Sequence, residues 1–301
     1  MKRVFAVLLM AVVACCFAGC GEKSSADKGA EAVKAVKAPE SPEKVVLEVV
    51  AAVKAGELVK VYAMLPDSYQ KDVQAVFDKV AAKMDKEIYE KAFGLLPKAL
   101  EVVKANKDKM PVPPEMLATA EEVLKILTAA KLNTYDGFKA LNIAGFLADN
   151  GKAIADLAWK GASMDGKNPE ELKKMLDTVK AELKDPKATG DTLVVVVTVG
   201  ENKEEMEFKK VEGKWIPTEL ANGWAKGKEE AMKNVDGAMA EFEKNKEQIK
   251  GMLTGVEAAL AKNDPSALMG LMMMGAMGGG GAPAPEVAPA PEAAPAPAPA
   301  Q

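Results

Sequence analysis

Two periods of apolar residues divide the chain. Over most of residues 42–183 they recur every three or four positions, the spacing of a helix buried along one face; around 193–217 they alternate, as on a half-buried strand. Val46, Val49, Val50 and Val53 form the first stripe. Ser41 stands at its N-cap, Pro42 at the first helical position and Glu43 in the first turn, and Gly56 supplies a C-cap. Residues 57–65 predict a second short helix that Pro66 ends. Asp67 is placed to cap a third, carrying Val73, Val76, Phe77, Val80 and Met84. The pattern continues through 88–103 with a break expected at Gly94 and Pro97, through 114–130, and from Phe138 to a stop at Asn150-Gly151. A short helix at 154–159 and one at 169–183, capped by Asn168, complete the helical part.

At Asp185-Pro186 the character changes. Residues 193–199 are almost wholly β-branched, and Met206 and Phe208 alternate with Glu205, Glu207 and Lys209. Turns at 200–203 and at Glu212-Gly213 then lead to Lys214-Trp215-Ile216-Pro217, which together predict a three-stranded antiparallel meander. Residues 224–262 predict one long helix with Val235, Met239, Phe242, Ile249, Leu253, Val256 and Leu260 along a stripe. That stripe has the look of a coiled-coil seam, but without sustained heptads and charged flanks it predicts a helix packed on the body. The fold class expected is therefore α+β and mainly helical, with a small antiparallel sheet and a long C-terminal helix.

The ends differ from this body. Lys2 and Arg3 precede an apolar run over 4–14, too short for an ordinary bilayer span of ~20 residues, and Cys15-Cys16-Phe17-Ala18-Gly19-Cys20 follows. Basic start, apolar stretch and small residues make a secretory signal peptide over 1–19. Residues 20–40 are small, charged and poor in large apolar groups, and predict a flexible tether before a domain over 41–264. Residues 265–301 are Met- and Gly-rich, then nearly all Ala and Pro, a composition favouring disorder or polyproline II. Thioether binding of a soft ion such as Cu(I) is one reading of the methionines. Their contiguity at 272–274 favours a sticky apolar segment instead.

Phe17-Ala18-Gly19-Cys20 resembles the lipobox of bacterial lipoproteins. The resemblance implies cleavage between Gly19 and Cys20 and a diacylglyceryl group on Cys20, leaving 282 of the 301 residues. In that family an Asp after the Cys marks inner-membrane retention; Gly21 implies the outer membrane, facing the periplasm, in a cell that has one.

Charge and rare residues narrow the chemistry. The signal carries Lys2 and Arg3 and no acid, so the formal charge of −4 becomes −6 from Cys20 onward. An acidic, mixed surface argues against nucleic acid as a partner and gives little attraction to anionic lipid. Of three cysteines, two lie in the signal and the third is the expected lipid site, so no disulfide is expected. With no histidine, Ser-His-Asp and Cys-His catalysis and histidine or thiolate zinc sites are excluded. No cofactor and no metal are expected.

The remaining motifs are weak. Ser41-Pro42-Glu43-Lys44 matches the Ser-x-x-Lys pair of penicillin-recognising enzymes, but their Ser-Asp-Asn and Lys-Thr-Gly partners are missing and a helix cap accounts for the residues. Asp165-Gly166-Lys167-Asn168 lacks the alternating ligands of a calcium loop and predicts a turn and cap. Glu121-Glu122, Glu170-Glu171 and Glu204-Glu205 lie among lysines as solvated faces.

The segments around Ser41–Val46, Met64-Leu65-Pro66-Asp67-Ser68-Tyr69 and Val211-Glu212-Gly213-Lys214-Trp215-Ile216-Pro217 resemble small exported lipoproteins with a nuclear-transport-factor-2-like cone, over roughly 41–70 and 190–220. That resemblance implies N-terminal helices packed into a curved sheet, and, since the family's enzymes often use His/Asp pairs, a non-catalytic ligand or partner binder. The helical stretch 71–185 is far longer than such domains carry. The expected function is a membrane-anchored envelope lipoprotein with a binding or structural role, held by its lipid and open to a protein or cell-wall partner. Phe208 and Trp215 are candidate lining of a concave sheet surface, or else core. The alternative is an envelope enzyme using carboxylate or lysine chemistry in a pocket between helices and sheet.

Overall fold

The computed structural model describes residues 23–110, 112–164 and 168–265. The chain is mainly helical with one small antiparallel sheet. Its helices before the sheet are α1 (Lys23–Ala35), α2 (Pro42–Ala55), α3 (Leu58–Ala63), α4 (Asp67–Lys83), α5 (Lys86–Ala105), α6 (Pro114–Ala129), α7 (Tyr135–Lys139), α8 (Ile143–Met164) and α9 (Pro169–Asp177). Strands β1 (Lys180–Leu183), β2 (Thr192–Val199), β3 (Asn202–Val211) and β4 (Lys214–Pro217) follow, then α10 (Thr218–Lys244) and α11 (Lys246–Ala261). The sheet order is β1-β2-β3-β4, each neighbour antiparallel.

The core forms where the two periods meet. The valines of α2, at 45, 46 and 49, pack with Leu193, Val195 and Val197 of β2 and Met206 and Phe208 of β3. Register places Leu193 opposite Phe208 and Val195 opposite Met206, so these side chains share one face. Helices α3, α4 and α8 extend this core through Val61, Phe77, Ile143 and Leu147. A second, smaller cluster joins Leu95, Val102 and Val103 of α5 to Met110 and to Leu260 of α11.

Gly56 shows how tightly the helices meet. It ends α2 at φ +73°, and its neighbour's amide, Glu57 N–H, donates back to Ala52 O at 2.8 Å. A methyl group there would also lie 2.8 Å from Cα of Lys152 in α8.

Four expectations need correction. The sheet has four strands, because the helix capped by Asn168 stops at Asp177 and Lys180–Leu183 pairs instead with the edge of β2, Ala181 opposite Val197. Asn150-Gly151 does not end a helix: α8 runs through it, Asn150 Nδ2 donating to Phe146 O at 3.2 Å while Gly151 lets the backbone of Gly56 come close. Pro97 likewise lies inside α5. The C-terminal helix is two helices, divided at Asn245, where φ is −97° and ψ is 8°.

A fifth difference concerns the stretch expected as a tether. Lys23–Ala35 is helical, and α1 lies against α8 and α3. Its closest approach is made by Gly29 against Gly145, and a glycine leaves no mark in the hydrophobic pattern.

Candidate functional site

The inner face of the sheet was the first place for a concave site. Phe208 is 0% and Trp215 4% exposed, so both are core. Trp215 also spends its only donor internally, its indole N–H reaching Glu40 O at 3.2 Å just ahead of α2. Lys210 lies over the same ring, 5.3 Å from its centre. The opposite face sets Val194 and Val196 of β2 against Glu207 and Glu205 of β3, with Lys184 paired to Glu205 at 2.7 Å, and is covered at Ile216 where α10 begins.

The densest polar constellation lies where α4 meets α10. Tyr69 and Trp224 stack with centroids 4.0 Å apart, and the Trp224 indole donates to Asp72 Oδ2 at 3.0 Å. Lys228 donates to the other oxygen, Oδ1, at 2.6 Å. Burial pushes the Asp72 carboxyl up, but the bonds from Lys228 and Trp224 outweigh it and leave it below the ordinary value. Burial and the acids Glu212 and Asp72 push the Tyr69 phenol up. Nearby, Lys214 leaves the β-hairpin to donate to Ala63 O at 3.0 Å, Leu65 O at 2.7 Å and Asp67 Oδ1 at 2.9 Å. Sequence reasoning missed this group. Its signal was two pairs one helical turn apart, Tyr69 with Asp72 and Trp224 with Lys228, complementary in chemistry.

The seam continues down both C-terminal helices. Asp236 of α10 accepts from Lys79 and Lys83 of α4, each at 2.6 Å. Lys246, Lys250 and Glu257 of α11 pair with Asp85, the N-cap of α5, and with Glu87 and Lys91 within α5, at 2.8, 2.8 and 3.0 Å. The Lys246 bond and the Ile88 amide hold Asp85 low, and Lys91 does the same for Glu257. At the far end, buried Asn106 donates to Val102 O and to Asn263 Oδ1, both at 2.9 Å.

Beside this end, a surface groove of 440 Å³ separates α5 from α11. Val102, Ala105, Leu260 and Ala261 form its apolar part, and Lys98, Glu101, Glu257 and Asn263 its polar part. It offers shape for a small ligand, but Glu257 is already neutralised by Lys91.

The motifs of the sequence separate on the structure. Ser41 caps α2 with extended backbone, and its hydroxyl donates to Glu43; Lys44 pairs with Glu40 at 3.5 Å, away from it. Asn168 Oδ1 accepts from the Glu170 amide at 3.0 Å, and the rest of that loop lies outside the described residues. Glu121 pairs with Lys104, Glu122 with Lys160 and Glu170 with Lys173. Among the described residues no cluster of three or more acidic, histidine or cysteine side chains is placed to hold a metal, and no helix is long and apolar enough to cross a membrane. Gly19, Cys20 and the methionine segment lie outside the described residues.

Comparison with family models, with curated proteins and with solved structures finds no match for this chain.

Proposed function

We propose that this protein is a membrane-anchored cell-envelope lipoprotein, processed before Cys20, with a non-catalytic binding or structural role. The observation that carries the reading is the sequence of the first twenty residues: two cations, an apolar run of sub-membrane length, then Phe-Ala-Gly-Cys. Gly21 directs it to the outer membrane, facing the periplasm, in a diderm cell. One cysteine remains after cleavage, so no other thiol competes for the modification.

The non-catalytic role draws support from how the charges are used. Among the described residues, each carboxylate whose ionisation departs from the ordinary value is lowered, and lysines or donor groups beside it account for the shift. A general acid needs the opposite, a carboxyl raised by burial or by a like charge. Phe208 and Trp215 fill the space that a pocket between sheet and helices needs. The groove between α5 and α11 is the surface offered to a partner in the envelope.

Replacing Cys20 with Ala tests the anchor. The unaltered protein partitions with membranes and the variant with the soluble envelope fraction; equal membrane retention of the two contradicts the reading.

A further inference from the structure

We infer that α1 is a docked stem, which holds the body directly against the bilayer instead of letting it hang on a leash. The inference rests on the lipid-anchor reading of Cys20. It is carried by the contact between α1 and α8. A methyl group built on Gly29 falls 2.2 Å from the amide nitrogen of Gly145, 2.6 Å from its Cα and 2.7 Å from Asn142 Oδ1. Only a residue without Cβ permits this approach. The partner surface is itself fixed. Asn142 Oδ1 accepts the Gly145 amide at 2.8 Å, and Gln74 of α4 grips both flanks, donating to Leu141 O at 2.9 Å and accepting from Ile143 N–H at 3.1 Å.

The distances decide what this does. Six helical residues separate Gly29 from Lys23, and three more lead to Cys20. At 1.5 Å per helical residue and ~3.5 Å per extended one, the lipidated cysteine stays within about 20 Å of Gly29, which itself lies against Gly145. A free tether from Cys20 to Pro42 has a contour of about 75 Å. With the stem docked, the exposed surface of α8 around Ala148, Asp149 and Lys152 stays near the headgroups. The charge of −6 from Cys20 onward gives lipid no electrostatic hold on the body, so the stem sets the height and added salt leaves it unchanged.

The test reads docking and height separately. Amide exchange is measured over residues 29–35 in the unlipidated chain from Cys20 onward, with and without Gly29→Leu. Protection in the parent and its loss in the variant are expected; equal exchange in both overturns the docked stem. Height is read on the lipidated full chain in phosphatidylcholine vesicles, by energy transfer from a dye on Ala148→Cys to headgroup acceptors. Transfer is expected to be strong and salt-independent, and to drop with Gly29→Leu. It is also expected to drop when a flexible linker of about fifteen residues is inserted after Glu22, which leaves α1 docked. Transfer unchanged by that linker overturns the mount even if the leucine variant misfolds. A Cys20 without lipid overturns the anchor reading, and the mount with it, while the exchange result still reports whether α1 docks.

Discussion

Trp224 lies flat on Tyr69, the two rings 3° from parallel, and its indole N–H donates to Asp72 one turn along the same helix as Tyr69. One aromatic pair and one buried-edge hydrogen bond thus fasten the start of α10 to α4. Replacing Trp224 with Ala removes both, and for this half-buried ring should cost about 2–3 kcal/mol. Trp224→Phe keeps the stacking and loses the bond, for about 1 kcal/mol. Urea unfolding of the two variants checks the order; equal losses would show that the stacked ring contributes nothing beyond the hydrogen bond.

Lys214 is expected to be structural. Its side chain is 17% exposed and its ammonium group meets two carbonyls and a carboxylate where α3 hands over to α4. Lys214→Met keeps the aliphatic stem and removes the donor from Ala63 O and Asp67, while Leu65 O keeps Gln70 Nε2 at 2.8 Å, so a loss of about 1 kcal/mol is predicted. A variant as stable as the parent in chemical denaturation contradicts that assignment.

Acid should loosen the C-terminal helices first. Asp67 is held low by Lys214, Asp85 by Lys246 and then the Ile88 amide, and Asp236 by Lys79 and then Lys83. At Asp72 burial acts the other way and is outweighed by Lys228 and Trp224. Each group binds its proton less readily folded than unfolded. Their stabilisation is therefore complete above the ordinary carboxylate value near pH 4 and is lost as pH falls through the lower folded values. Thermal scans should show a level Tm from pH 7 to about 5 and a decline below about 4. Asp85→Asn keeps a good helix cap while removing the charge, and should reduce that decline. A Tm that rises on acidification contradicts the sign.

The sequence makes some of this legible and hides the rest for physical reasons. Residues 193–199 read as a strand because β-branched side chains suit a pleated surface whatever surrounds them. Lys180-Ala181-Glu182-Leu183 consists of helix formers and becomes a strand only because the edge of β2 offers it partners. Gly29 and Gly151 read as flexibility or as a stop, yet each is a place where two backbones meet. Alternation marks Phe208 and Trp215 as buried-side residues, but a lined pocket and a filled core share that pattern; only the packing of α2 on the sheet decides for core. The Tyr69–Trp224 constellation joins residues 155 positions apart, so no local spacing shows the two halves meeting.

The most direct measurement is the intact mass of the mature protein isolated from envelope membranes. The account predicts a chain beginning at Cys20, heavier than its sequence by at least a diacylglyceryl group, with no unmodified thiol. A chain that begins elsewhere, or a Cys20 carrying a free thiol, contradicts it.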